Sequence, residues 1–143
     1  MFAEYIYPYL QVPQFPVQSL YDTWGILNIL GITCIDGAGS LLNCVENDRQ
    51  AMEQYKKDVV SLMSRIAAVN SNGVWGIACA GHSYLRSGYM SSSRYTVPES
   101  SNYTAYTSLT AWRLGFRDNT HIDSVSWPEN LHCAGIMPTV ASP

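Results

Sequence analysis

Two residues of this chain have the types and the placement that proton transfer at a nucleophile requires. Asp22 follows the short apolar run FPVQSL, and His82 follows the run VWGIAC. A buried aspartate that accepts a hydrogen bond from one ring nitrogen of a histidine fixes its tautomer and stabilises the imidazolium. The other ring nitrogen is then free to take a proton from a hydroxyl group. Asp22 and His82 are therefore candidate catalytic residues.

The segments around this pair predict a parallel β-α-β unit. We expect a strand over about 15–20, a helix over about 48–69 and a strand over 74–79. A strand, a long helix and a second strand form a crossover in which the two strands are parallel. A further helix is expected over about 104–114, and the residues after it show no regular pattern. The helix over 48–69 is predicted from apolar residues at spacings of three and four, namely Met52, Tyr55, Val59, Leu62, Ile66 and Val69.

This order of elements brings the two side chains to one edge of the sheet. Reactive groups of open α/β sheets collect just beyond the carboxyl ends of the strands. With the predicted boundaries, Asp22 lies two residues past the first strand and His82 three residues past the second. Each residue also has an ordinary interpretation, because an aspartate after a strand commonly caps a helix. A histidine in such a place is commonly a hydrogen-bonded loop residue.

No serine of the chain is placed as the nucleophile that this pair would serve. A nucleophilic serine commonly lies in a Gly-x-Ser-x-Gly turn between a strand and a helix, and the sequence has no such motif. The segment Gly37–Ser40 lacks the following glycine, follows no strand and comes after the aspartate. Ser83 adjoins His82 in sequence, which points its side chain elsewhere.

The composition excludes some classes of function. The net charge is −3, and the arginines Arg86, Arg94, Arg113 and Arg117 are scattered, so no basic face is available to neutralise nucleic-acid phosphates. The longest apolar stretch, residues 24–35, is shorter than the roughly 20 residues that a membrane span needs. The first ten residues carry Glu4 and no positive charge, so we do not expect this segment to be a secretory signal. No motif predicts a cofactor.

Four cysteines allow two disulfides in three possible pairings, and none of them forms a C-x-x-C pair. Together with a composition rich in Tyr, Ser and Asn, they favour an oxidising compartment. Asn102 begins the one glycosylation sequon, Asn-Tyr-Thr. A metal site was weighed for His121, Asp123, His132 and Cys133, but these ligand types have no recognised spacing, so no metal is predicted.

Four stretches together resemble the C-terminal part of the pectin acetylesterase/Notum family of secreted serine carboxylester hydrolases. They are YLQVPQFPVQSLYDTWGILNIL, the segment from Cys44 into the helix, GVWGIACAGHSYL, and TAYTSLTAWRLG followed by HIDSVSWPENLHC. The likeness covers about residues 5–136 and rests on order and spacing rather than on one diagnostic motif. It implies an α/β-hydrolase fold, with Asp22 as the triad acid, His82 as the triad histidine and Trp112 as the tryptophan of a late helix.

The resemblance also implies what the chain would need to work. Residues 1–143 correspond to the C-terminal part of one α/β-hydrolase domain, and the family's nucleophilic serine and oxyanion hole lie in earlier sequence. We therefore expect a companion polypeptide, or other subunits of an assembly, to supply the rest of the domain. We expect Cys133 to pair with Cys79 and Cys34 with Cys44, and the protein to be secreted or lumenal.

Two functions follow from these expectations. The first is a serine carboxylesterase part that carries the acid and the histidine of the triad. Its substrate is an ester on a carbohydrate or a protein, because polysaccharide acetyl esters and protein-linked fatty acyl esters both fit. The second is a non-catalytic structural or binding component built on a truncated hydrolase scaffold, since a fold does not dictate a function.

Overall fold

In the computed structural model, residues 3–35, 43–82, 85, 88–98 and 101–126 are described. The chain begins with a single helical turn, α1, that continues into a 3₁₀ turn over Tyr7–Tyr9. The remaining elements run strand, two helices, strand, helix and strand along the chain. This order contains the predicted strand, long helix, second strand and later helix. In chain order the elements are α1 Ala3–Ile6, β1 Val17–Asp22, α2 Thr23–Asn28, α3 Glu46–Ala67, β2 Val74–Gly81, α4 Ala105–Arg113 and β3 Thr120–Ile122.

The described strands form one parallel sheet in the order β1-β2-β3. The predicted α/β class is confirmed, and β1 and β2 pair directly. The predicted strand boundaries were wrong by a few residues at the carboxyl ends. Asp22 is the last residue of β1 rather than the second residue beyond it, and His82 follows the end of β2 directly. β1 starts at Val17 because Pro16 cannot donate a hydrogen bond to the ladder.

β3 lies in the region predicted to be irregular, and it changes the environment of β2. It pairs Val74 with Thr120, Trp75 with His121 and Gly76 with Ile122. β2 therefore has a parallel neighbour on each side, and all eight of its residues are buried. Parallel strands that are covered on both faces are nearly continuous apolar runs, which is what VWGIACAG provides.

Helix α3 covers one face of the sheet. Gly76 allows this close packing, because a β-carbon there would lie 3.0 Å from Met63 of α3 and 3.1 Å from Leu20 of β1. The buried face of α3 is rotated about the helix axis, by part of a turn, from the apolar stripe that the sequence predicted. Lys56 and Met63 are buried along with Met52 and Ile66, whereas Tyr55 and Leu62 are only half-buried.

Helix α4 is held to the segments that precede β1 and β2. The ring of Trp112 packs against Phe15 with centroids 5.4 Å apart, and its indole N–H donates to the carbonyl of Ser71 at 2.9 Å. The indole of Trp75 in β2 donates to the carbonyl of Tyr103, just before α4. These bonds satisfy the indole N–H groups, that of Trp75 inside the core and that of Trp112 at its margin.

A disulfide joins Cys34 and Cys44, with an S–S distance of 1.96 Å, in the connection between α2 and α3. Cys79 of β2 is also disulfide-bonded, and its predicted partner Cys133 lies outside the described residues. Asn102 is exposed and thus accessible, and its glycosylation stays a prediction. Among the described helices, none combines the length and the apolar content that crossing a bilayer demands.

Candidate active site

Asp22 is held by two elements at once. It ends β1 and is also the N-cap of α2, where its Oδ1 accepts a hydrogen bond from the backbone N–H of Gly25 at 2.9 Å. The side-chain amide of Gln18 donates to Oδ2 at 3.3 Å. The carboxylate is 13% exposed. The capping interpretation is therefore correct, and the cap fixes the carboxylate in orientation.

His82 lies against this fixed carboxylate. Its Nδ1 is 2.9 Å from Oδ2 and 3.1 Å from Oδ1 of Asp22, across 60 residues of sequence. A carboxylate can only accept a hydrogen bond, so the proton of the neutral imidazole is assigned to Nδ1 and the lone pair to Nε2. The His82 side chain is 51% exposed, and Nε2 has no hydrogen-bond partner among the described residues. A base oriented by a carboxylate and open on its other nitrogen is suited to accept a proton.

The sheet register makes this contact possible. Asp22 is paired with Gly81, which directly precedes His82. Because the carboxyl ends of parallel strands meet at one edge of a sheet, two residues far apart in sequence become neighbours there. The sequence-predicted pair is therefore brought together by β1 and β2.

Tyr55 of α3 lies beside the pair and was not predicted as part of it. Its hydroxyl packs over Gly25, where a β-carbon would overlap that oxygen. Burial raises the pKa of Tyr55, and the negative charge of Asp22 raises it further. Gly25 was not predicted either, because no pattern in the sequence shows that a tyrosine from another helix will lie on it.

The comparisons with known proteins assign the chain to a family. The profile of a family described as Pectinacetylesterase matches residues 1–134. The chain belongs to this family. One curated relative, Pectin acetylesterase 11 of Arabidopsis thaliana, is 25% identical over 88 residues. That alignment covers 57% of this chain and 22% of the relative, so the chain spans about a fifth of the relative's length.

The other residues that the sequence singled out fall into two groups. Gly37–Ser40, Ser83, His132 and Cys133 lie outside the described residues of this pectinacetylesterase-family chain. His121 and Asp123 are described, and both are buried at β3. The described residues contain no group of three or more His, Cys, Asp and Glu that could hold a metal ion.

His121 differs from the site histidine in its surroundings. Its ring stacks on Tyr103 with centroids 4.1 Å apart, and it is paired in the sheet with Trp75. Burial lowers the pKa of His121, while the negative charge of Asp118 and a hydrogen bond with its backbone oppose that effect. The carboxylate of Asp123 accepts a hydrogen bond from the N–H of Ala78 at 3.3 Å. These two residues thus pack within the sheet.

Proposed function

We propose that this chain carries the acid and the base of a serine carboxylester hydrolase, with His82 as the general base and Asp22 as the residue that orients it. The contact of His82 Nδ1 with the capped carboxylate of Asp22, with Nε2 left open, is the observation that carries the proposal. Membership of the pectinacetylesterase family supports the same chemistry.

The residues perform the proton transfers of acyl transfer. His82 Nε2 takes the proton of a serine hydroxyl as the serine oxygen attacks the ester carbonyl, and Asp22 stabilises the imidazolium. When the tetrahedral intermediate collapses, Nε2 returns that proton to the departing alkoxide and an acyl-enzyme remains. Water then attacks the acyl-enzyme, with Nε2 taking a proton from the water and giving it to the serine oxygen.

We propose that the serine lies on a further segment or a companion polypeptide. The sequence has no Gly-x-Ser-x-Gly motif, and the chain aligns with only 22% of its curated relative. Within the described residues, β1 has a strand neighbour on one side only. A parallel strand of the companion would pair with that free edge, which would otherwise present unpaired backbone groups.

The substrate proposed is an acetyl ester on a polysaccharide. The name of the relative, Pectin acetylesterase 11, supports this class over a fatty acyl ester. The disulfide Cys34–Cys44 and the disulfide-bonded Cys79 support a secreted or lumenal setting, because such bonds persist in oxidising compartments.

Native mass spectrometry of the source material, followed by peptide sequencing of whatever accompanies this chain, tests the proposal. The expected companion, or extended chain, carries a Gly-x-Ser-x-Gly motif, and its serine reacts with a fluorophosphonate. The assembly should release acetate from acetylated pectin and from p-nitrophenyl acetate.

The controls separate the esterase from a scaffold. Labelling of the companion serine should disappear in the His82→Gln variant, because the serine loses its base. An assembly without such a serine, or one whose hydrolysis is unchanged in His82→Gln, would overturn the proposal. It would leave a non-catalytic component built on a hydrolase scaffold.

A further inference from the structure

The strand that carries His82 is irregular just before it. Ser19 of β1 pairs with Ile77 of β2, but Tyr21 pairs with Ala80, so β2 advances three residues while β1 advances two. This is a β-bulge, in which one extra residue is inserted into one strand and leaves backbone groups without regular ladder partners. The extra residue lies between Ile77 and Ala80.

The bulge decides where His82 emerges. With an uninterrupted register, Asp22 would pair with Ala80, and His82 would follow two residues later. The inserted residue pairs Asp22 with Gly81 instead, so His82 is the next residue. One residue of strand corresponds to about 3.3 Å and to a change of face. Without the inserted residue, the backbone at position 82 would be displaced by that distance relative to Asp22. The displacement would carry Nδ1, now 2.9 Å from Oδ2 of Asp22, out of hydrogen-bond reach, so the contact depends on the bulge.

Ser19 occupies the β1 side of the bulge. Its hydroxyl donates to the carbonyl of Cys79 and accepts from the backbone N–H of Tyr21 at 3.2 Å. Ser19 is 2% exposed, so water does not substitute for these bonds readily. One hydroxyl thus bridges the two strands at the position where the regular ladder is interrupted.

Asp123 occupies the β3 side. β3 ends at Ile122, and Asp123 Oδ2 accepts from the backbone N–H of Ala78 at 3.3 Å. The N–H of Asp123 donates to the carbonyl of Gly76 at 2.9 Å, which fixes the residue against β2. The bulge is therefore bonded by a side chain from each neighbouring strand.

We infer that Ser19 and Asp123 are positioning residues, which hold the bulge of β2 so that His82 meets Asp22 with Nδ1–H directed at the carboxylate. The inference rests on the proposed function for its catalytic consequence, but the geometry it predicts is measurable without activity. Neither residue touches the imidazole or the carboxylate in the described contacts. Their effect is transmitted through Ala78 and Cys79.

The ring ¹⁵N shifts of His82, measured in the intact assembly, test the inference directly because they report which nitrogen carries the proton. The unmodified protein should show the Nδ1–H tautomer. Ser19→Ala should populate the Nε2–H tautomer, since the bulge loses the hydroxyl that bridges it. Ser19→Thr keeps a hydroxyl and should restore Nδ1–H.

Ser108→Ala is the matched control. Ser108 is also a fully buried serine, but its hydroxyl has no hydrogen-bond partner within the part of the chain that is described. Its replacement should leave the His82 tautomer unchanged. If Ser19→Ala does not fold, the His82 tautomer can be compared in two variants of Asp123, on the other side of β2. Asp123→Asn keeps an acceptor for the N–H of Ala78 and should keep Nδ1–H, whereas Asp123→Ala should not. Retention of Nδ1–H in folded Ser19→Ala, or equally in both Asp123 variants, would overturn the inference.

Kinetics give a second readout. A misplacement of about 1 Å at a catalytic group can lower a rate by about 10²-fold, so Ser19→Ala should lower kcat by about that factor and leave KM nearly unchanged. A Ser19→Ala variant that is less stable but keeps both its tautomer and its kcat would show a structural role alone. If the tautomer responds to Ser19 while the protein hydrolyses no ester, the positioning role stands and the proposed function fails.

Discussion

His82 and His121 lie at neighbouring strands of one sheet and yet have opposite environments. His82 follows the carboxyl end of β2, is half-exposed and has a carboxylate at 2.9 Å. His121 lies within β3, is 4% exposed and stacks on Tyr103. Its Nε2 is buried without a hydrogen-bond partner among the described residues. A histidine can exchange protons with a substrate only where a ring nitrogen is accessible. Of these two described histidines, His82 has the placement that the proposed catalysis requires.

The two histidines also show that closeness in sequence does not determine which aspartate contacts a histidine. Asp123 is two residues from His121, yet its carboxylate bonds to the backbone of β2. Asp22 is 60 residues from His82, and the two meet because β1 and β2 end at the same edge. The sheet, and not the local sequence, selects the partner.

Replacing His82 should have the largest effect. In the assembly that the proposed function requires, we expect His82→Ala to lower kcat on the order of 10⁶-fold, because the proposed base of the acyl transfer is lost. The side chain is half-exposed, so unfolding by urea should hardly change. His121→Phe is the matched control and should keep activity within about threefold, because that ring lies outside the site. Comparable losses in the two variants would remove the distinction between them.

Asp22→Asn should have the second largest effect and lower kcat about 10⁴-fold. Asparagine caps helices as well as aspartate does, so its oxygen can still accept from Gly25 and α2 should persist. Its amide nitrogen would then face His82 Nδ1 and favour the wrong tautomer. Circular dichroism and ester hydrolysis, measured together, separate the two roles. A helix loss that matches the rate loss would assign Asp22 to capping alone.

Gly25→Ala should act on the same site through packing. A β-carbon at position 25 overlaps the Tyr55 hydroxyl, and overpacking of this kind costs about 1–3 kcal/mol in the free energy of unfolding. Urea unfolding measures that cost. The same substitution in a Tyr55→Leu background, where the ring is absent, should cost less. Equal costs in the two backgrounds would show that Tyr55 is not the obstacle.

Much of the fold was predictable because it depends on long, regular patterns. The apolar spacing predicted α3, and the bounded run VWGIAC predicted β2. The order of strand and helix then predicted that Asp22 and His82 meet. β3 was missed because three residues are too few to show alternation, and its pairing with β2 comes from the tertiary structure.

The buried polar residues were missed for a related reason. A lysine in a helix is normally assigned to the solvent-exposed side, so the sequence did not predict that Lys56 is buried. Its ammonium donates to the carbonyl of Val125 at 2.7 Å and lies over the ring of Tyr21. The positioning roles inferred for Ser19 and Asp123 depend on a bulge in β2, a strand to which neither residue belongs. Contacts among distant segments leave no periodic signal in the sequence.

The pH dependence of stability gives the smallest effect and tests the buried histidine. Burial lowers the pKa of His121 from its ordinary value of 6.5, so the unfolded chain binds a proton more readily than the folded one. Burial of the neutral His121 ring therefore contributes its full stability above pH 6.5, the pKa in the unfolded chain. That stability is lost as the pH falls toward the lower pKa of the folded protein, by about 1.4 kcal/mol per unit of difference between the two pKa values. Urea unfolding between pH 7.5 and 5 should show this loss, and His121→Phe should reduce the slope, because the group that titrates is gone. A slope that His121→Phe leaves unchanged would mean that other groups cause it, and that burial of His121 does not oppose its protonation.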